Sequence, residues 1–412
     1  MKTTLFWFGI LIPLCLASAA ETVYTKRSNN YVREGPGAYF QLVAVVPENT
    51  SVTVQRRQGS WMNVFLSDKK KGWMSANSLT AALSAGARAT PLEKVWSSPK
   101  ASRAGVSAAI RGFAEKRDDT PPGSIEPVLK NASKTFTDAS LSTFRKPVEQ
   151  NKKKLAGELS MDDLDLGPVV YDAGIAEQQV GLGIAARLGT KGFVANKGLV
   201  EYVNLICATL AANSPVYDWD FTVFVINDPT MNGFALPGGY VFLTLGAVQM
   251  CSDEAELASI IAHEMAHVIR RHGLQEMTKR TVHVKADDAF NELEEEVGPK
   301  TEDEADLDDM MRQTYERIVS PRLYAYEIEA DRVATVLMAE TGYDPFGLVR
   351  TSQKAARIPK ERPALFDPNY MAPDNLSKRA KETEQFVNEH FRTNTGGARM
   401  RERFTSGTAG IR

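Results

Sequence analysis

One short segment, Ala262 to His267 (AHEMAH), constrains the fold of this 412-residue chain more than any other. Two histidines four residues apart on an α-helix lie about 40° apart around the axis and about 6 Å apart along it, so both rings can reach one metal ion. Glu264 lies next to His263, where it can contact a metal-bound water rather than the metal. A random HExxH has odds of about one in a hundred or less in a chain with five histidines, so the surrounding sequence decides.

The flanking residues predict a buried helix around this segment. Ser252-Asp253-Glu254 supplies an N-cap and an acidic first turn. Apolar residues then recur at helical spacing: Leu257, Ile260, Ile261, Met265, Val268 and Ile269. Without partners, the buried polar groups would cost a few kcal/mol each, and a divalent cation satisfies them. A metal site is therefore favoured over two core histidines.

A catalytic zinc has three protein ligands and one open position, so a third ligand is expected elsewhere. A second helix is predicted from Tyr324 to Glu340, on which Glu327 and Asp331 share a face. We predict that Glu327 binds the metal and that Asp331 accepts a hydrogen bond from the outer nitrogen of a ligand histidine. Glu329 points elsewhere, which suits a solvated or structural role.

These motifs resemble the gluzincin metalloendopeptidases numbered forty-eight among metallopeptidases, which include HtpX, the CAAX prenyl proteases and soluble periplasmic repair proteases. The resemblance covers about residues 165 to 355. It rests on the HExxH motif and on three further segments: Glu327–Arg332, Asn232–Val241 and Leu199–Val203.

The resemblance implies the same site as the geometry: zinc ligands His263, His267 and Glu327, general base Glu264, and a supporting carboxylate on Asp331. One Zn²⁺ per chain would polarise the scissile carbonyl and activate water, and Glu264 would move the proton. The group that donates a hydrogen bond to the developing oxyanion is not assigned; the candidates are Tyr324, Tyr326, Arg332 and a backbone amide near Asn232.

The resemblance also implies a substrate-binding strand beside the cleft that reads main chain more than side chains. Its predicted residues are Asn232, Phe234, Ala235, Gly238, Gly239 and Tyr240. The sequence departs from the family at Gly233, where alanine is usual, and at Leu245, where arginine is common. It also has no histidine between 284 and 389.

Residues 1–20 read as a cleavable secretory signal, because a basic residue precedes a short apolar core and small residues. The expected location is the bacterial periplasm or cell envelope, with the outer membrane surface as one option. No transmembrane segment is expected in the mature chain.

Residues 21–82 predict a small all-β barrel that is similar to bacterial SH3-like domains, through Tyr31–Pro36, Trp61, Gly72–Met74 and Leu79. Two interpretations stay open: binding of cell-wall peptides or an envelope protein, and a positioning module with core tryptophans.

The other segments are assigned from composition. Residues 83–164 predict a linker with marginal helices, and 356–412 a helical segment followed by a frayed tail. Residues 284–309 hold twelve acidic residues against two lysines, which fits a solvated insertion or a mobile lid. Cys207 and Cys251 could pair, or stay as two buried thiols.

The predicted fold class is α+β, a mainly helical zincin-type domain (165–355) with a small sheet after the β barrel. The predicted function is zinc-dependent endoproteolysis of misfolded or misassembled envelope proteins, recognised as unfolded or extended chains. The alternatives are a chaperone or assembly factor with little proteolysis, and a wall-targeted protease. Nearly balanced charge without a basic stripe argues against nucleic acid as a partner.

Overall fold

The computed structural model describes residues 21–26, 30–36, 42–58, 61–68, 70–81, 128, 136–152, 159–164, 175–216, 219, 221–273, 312, 316, 323–367, 370–391 and 396–411. The predicted signal (1–20), the acidic insertion (284–309) and much of the predicted linker lie outside these residues. The chain divides into two compact units, one within residues 1–87 and one formed mainly by residues 88–412.

The first unit is an antiparallel sheet of seven strands in the order β3-β2-β6-β5-β4-β1-β7. The strands are β1 (Glu21–Thr25), β2 (Asn30–Arg33), β3 (Leu42–Val46), β4 (Ser51–Gln58), β5 (Trp61–Leu66), β6 (Lys71–Ser75) and β7 (Leu79–Thr80). Alternate residues face a core of its own that includes Val32, Val64 and Met74. Trp61 and Trp73 are both buried, as the positioning-module interpretation requires.

The second unit is mainly helical and contains a three-stranded sheet. Its helices are α1 (Asp138–Glu149), α2 (Ile175–Leu188), α3 (Lys197–Ala211), α4 (Leu245–Met250), α5 (Glu254–Ile269), α6 (Tyr324–Thr341), α7 (Phe346–Glu361), α8 (Pro373–His390) and α9 (Arg401–Gly407). Its strands are β8 (Thr222–Ile226), β9 (Gly233–Leu236) and β10 (Tyr240–Thr244). This combination confirms the predicted α+β class.

Helix α5 runs through the middle of the core of this unit. It begins where the Asp253 side chain accepts a hydrogen bond from the Glu256 amide at 3.0 Å. Nearly every residue of α5 is buried, against α6, α7, α3 and β9. Helix α6 ends at Gly342, whose left-handed φ of 104° lets the following Tyr343 amide donate to the Met338 carbonyl.

In the small sheet, β10 is the central strand, parallel to β8 and antiparallel to β9. In the described part of the chain, β9 is therefore an edge strand. The turn between β9 and β10 packs closely under α2, because a Cβ on Gly181 would lie 1.9 Å from the Pro237 carbonyl oxygen. No described helix is both long and apolar enough to span a membrane.

Two predicted segments belong to the second unit rather than outside it. Helix α1 lies in the predicted linker, yet its Val148 packs in the core of this unit, as does Met161 beyond it. The predicted frayed tail is also wrong, because Phe404 of α9 is fully buried in the same core. Low apolar content hid both segments, since few of their described side chains are large, apolar and fully buried in this core.

Candidate metal centre

Helices α5 and α6 bring together the three predicted metal ligands. The Nε2 atoms of His263 and His267 lie 3.1 Å apart. Glu327 presents one carboxylate oxygen 3.2 Å from His263 Nε2 and the other 3.1 Å from His267 Nε2. All three side chains are buried or nearly so. In the described residues this is the one group of histidine, cysteine or acidic side chains that converges in this way.

The donor set fits a zinc ion. Bonds of about 2.05 Å in a tetrahedral site separate neighbouring ligand atoms by about 3.3 Å, close to the observed spacing. Two neutral imidazoles and one carboxylate are also a known catalytic zinc set that leaves a fourth position open. Without a metal ion, Glu327 would be a fully buried carboxylate that faces two histidines and is balanced by Arg379.

Asp331 lies one turn along α6 from Glu327, where it contacts the other side of His263. Its Oδ1 lies 2.9 Å from His263 Nδ1, the contact expected of a carboxylate that orients a ligand histidine. Burial and Arg379 oppose protonation of His263, but Glu327 and Asp331 together raise its pKa. Burial disfavours the Asp331 carboxylate, but Arg379 and His263 outweigh it and hold the pKa of Asp331 well below its ordinary value.

Arg379 of α8 is a site residue that the sequence analysis did not identify. Its guanidinium donates to Asp331 at 2.7 and 2.8 Å and to Glu327 at 2.7 Å. Its Nη1 also lies 2.5 Å from the Tyr370 hydroxyl. Arg379 is buried, and the surrounding carboxylates raise its pKa despite that burial. The available signal was its position on the inner stripe of α8, which is otherwise formed by Leu376, Ala380, Thr383 and Val387.

Arg332, the arginine that directly follows Asp331, does not approach the candidate metal ligands. Arg332 is exposed, and its guanidinium lies over the Phe386 ring. Tyr326 stacks on the His272 ring with centroids 4.3 Å apart. Tyr324 packs under the Lys378 amine. Tyr370, which lines the cleft, is an additional hydroxyl near the site.

Glu264 faces a cavity beside the ligands that holds about 500 Å³, including its open mouth. Its walls are largely apolar and include Ile260, Leu348, Ala355 and Leu376, and its polar rim includes Asn232, His263 and Arg379. A Cβ on Gly233 would lie 2.7 Å from Glu264 Oε1. Glycine at this position therefore leaves room for the Glu264 carboxylate that alanine would restrict.

The predicted substrate strand is divided between three places. Phe234 and Ala235 lie on the edge strand β9, next to Asn232 at the cavity. Gly238 and Gly239 form the turn after β9, with φ of 80° and 90°. Tyr240 begins the central strand β10. Of the six predicted residues, Asn232, Phe234 and Ala235 therefore lie where an added strand could pair with β9 and reach Glu264.

The cysteines do not form a disulfide. Cys207 and Cys251 are both buried thiols that are not joined to each other. Burial raises the pKa of the Cys207 thiol, whose sulfur lies 3.8 Å from the Met265 sulfur. Of the two open interpretations, the structure shows the buried thiols.

A buried HExxH helix, a carboxylate from a second helix and a cleft beside them are the arrangement expected of a metallopeptidase site. Residues 200–386 match the model of Peptidase family M48. Residues 28–80 match the bacterial SH3 domain, which confirms that expectation for the first unit.

Relatives come from mitochondria and bacteria. Mitochondrial metalloendopeptidase OMA1 of Schizosaccharomyces pombe is 41% identical over 76 residues, 18% of this chain and 23% of that protein. Mitochondrial metalloendopeptidase OMA1 of Arabidopsis thaliana is 32% identical over 135 residues, 33% and 26% of the two chains. Beta-barrel assembly-enhancing protease of Escherichia coli K12 is 27% identical over 159 residues, 38% and 32% of the two chains. The matches thus span a quarter to a third of these relatives' own length.

Proposed function

We propose that this protein is a zinc-dependent metalloendopeptidase with one zinc ion per chain. The observation that carries the proposal is the triangle of ligand atoms from His263, His267 and Glu327, with Glu264 beside it on the wall of an open cavity. A metal that only stabilised the fold would have no need of an acid–base residue at a cleft.

Bound zinc would polarise the scissile carbonyl and acidify the attacking water. Glu264 accepts the proton of that water and returns it to the leaving amine. Asp331 holds the ring of His263 so that Nε2 faces the metal position. Arg379 balances the charge of Glu327 and Asp331 in a buried site.

We propose that the substrates are unfolded or extended polypeptides. A chain that pairs with the edge strand β9 would pass Asn232 and reach Glu264, because Gly233 begins β9 and adjoins that carboxylate. The apolar walls of the cavity would receive an apolar side chain next to the scissile bond. A site that binds the substrate backbone and has one apolar pocket suits clients that have an exposed extended segment in common rather than a sequence motif.

We further propose that the clients are misfolded or misassembled proteins of the bacterial envelope. The signal-like residues 1–20 support export of the chain. Relatives named beta-barrel assembly-enhancing protease support a role in that compartment.

The test is a Glu264→Gln variant, assayed for casein cleavage and for bound zinc. We expect cleavage to fall at least a hundredfold, because general acid–base catalysis contributes that much, while zinc stays bound. Glu384→Gln is the matched control, since Glu384 is an exposed glutamate on α8. Unchanged cleavage by Glu264→Gln would contradict the proposal.

The same variant separates the alternative of a chaperone or assembly factor, which the edge position of β9 favours. If Glu264→Gln restores the full biological activity of a deletion strain, the function is binding of unfolded chains rather than their cleavage. A wall-targeted protease predicts that the full chain is retained on purified sacculi through residues 21–82.

A further inference from the structure

His272 lies directly against the second ligand histidine, on the side away from the metal position. Its Nδ1 is 2.8 Å from His267 Nδ1, and its Nε2 is 3.0 Å from Glu329 Oε2. Its ring is buried and stacks in parallel on Tyr326. Glu329 also forms an ion pair with Arg270.

If His267 binds a metal, the hydrogen bonds between His267, His272 and Glu329 can have only one direction of donation. His267 Nε2 is the atom that faces His263 and Glu327, so its ring proton must be on Nδ1. That N–H then donates to His272 Nδ1, which leaves the proton of His272 on Nε2. His272 Nε2–H donates in turn to the Glu329 carboxylate.

We propose that His272 and Glu329 form a relay that positions His267 for metal binding, as Asp331 positions His263. The inference rests on the proposed metal site. It gives Glu329 a function in place of the solvated or structural role predicted from its spacing. Each ligand histidine then has its own support, one direct carboxylate and one carboxylate acting through a second imidazole.

The backbone after α5 is shaped to bring His272 to this position. Arg271 has a φ of 51°, in the left-handed region that non-glycine residues disfavour. This residue interrupts the helical path directly after α5, at the position before His272, whose ring lies beside His267. Its ring is then held by Tyr326 on one face and Glu329 at its edge.

The experiment measures zinc affinity of the full-length protein by competition with a chelator. We expect His272→Leu to weaken zinc binding about 10- to 100-fold, the usual effect of removing a residue that orients a metal ligand. His272→Asn retains an acceptor for the His267 proton and should recover part of the affinity. His390→Leu is the matched control, because His390 lies at the end of α8 next to Phe386.

A second readout separates positioning from general packing. We expect the melting temperature of the metal-free His272→Asn protein to stay near that of the metal-free wild type, while its gain on adding zinc is smaller. Equal zinc affinity in His272→Leu and wild type would overturn the relay. An equal loss of melting temperature with and without zinc in both His272 variants would also overturn it. If the wild type binds no zinc, the proposed function itself fails.

Discussion

Arg379 places one positive charge among two buried carboxylates and a ligand histidine. Its planar guanidinium contacts both oxygens of Asp331 and one oxygen of Glu327, and a lysine amine cannot reproduce that geometry. In the metal-free protein it is the cation that offsets these carboxylates. A bound divalent ion would share that role, so arginine and metal should stabilise the same charges.

Because arginine and metal stabilise the same carboxylates, we predict that bound zinc reduces the loss of folding stability caused by replacing Arg379. We expect Arg379→Met to lower the free energy of unfolding by about 3–5 kcal/mol without metal, because a buried charge pair loses one partner. With excess zinc the loss should be smaller, and Arg379→Lys should lie between. Urea unfolding with and without zinc measures both. Arg332→Met, at an exposed arginine, is the comparison, and an equal effect of the two substitutions would refute the assignment.

At the scale of elements, the two helices that carry the ligands could be predicted from sequence. The cap at Asp253 and the apolar spacing after it gave α5, and the predicted span of α6 differs from the observed one by a single residue. Both helices are long and strongly patterned, so local sequence specifies them. The three ligands followed from helix geometry and from the requirement for a third donor.

The supporting elements could not be predicted in the same way. Arg379 lies on a charge-rich helix, where its place on the short buried stripe is a weak local signal that does not reveal its carboxylate partners on α6. His272 depends on a left-handed residue at Arg271, which neither composition nor periodicity signals. Helix α9 contributes one large buried side chain, Phe404. These positions are set by tertiary contacts with residues far away in the sequence, 48 residues between Arg379 and Asp331 and 57 between His272 and Glu329.

The first turn of α5 is held by the C-terminal segment. Glu254 is fully buried and accepts hydrogen bonds from Tyr202 at 2.9 Å and Tyr343 at 2.7 Å. Arg403 of α9 pairs with the same carboxylate, and Arg399 pairs with the neighbouring Asp253. The helix that carries the metal ligands therefore depends on residues well outside the motif region.

We expect Arg403→Met to destabilise the catalytic unit by about 3–5 kcal/mol, because Glu254 would remain buried without its cation. Combining it with Glu254→Gln should recover part of that loss. A double-mutant cycle in thermal unfolding measures the coupling. Arg401→Met, at an exposed position on α9, should change the free energy of unfolding by less than about 0.5 kcal/mol. Additive effects of the Arg403 and Glu254 substitutions would contradict the anchor.

At the scale of the whole molecule, the two units have separate cores, and among the described residues the candidate metal site lies in the second unit. The core of the first unit is formed by β-strand residues such as Val64 and Met74, and that of the second by helices around α5. A ligand stabilises only the unit that binds it in the folded state.

Zinc removal should therefore shift one thermal transition. At free zinc a thousandfold above its dissociation constant, we expect the catalytic unit to gain about 4 kcal/mol relative to the chelated protein. The transition of the first unit should not move. Scanning calorimetry with zinc and with a chelator measures both, and His263→Ala should abolish the shift. A shift of both transitions would show that the site is not confined to the second unit.

The distance along the chain between His263 and Arg379 has a consequence for biosynthesis. A polypeptide still attached to the ribosome can expose the two histidines and even Glu327 while α8 is missing. Such an unfinished product lacks the guanidinium that balances the acidic pair, and its cleft lacks the wall formed by Leu376. The supports of the proposed site are thus complete only after translation has passed Arg379 and then Arg399 and Arg403, which hold the first turn of α5.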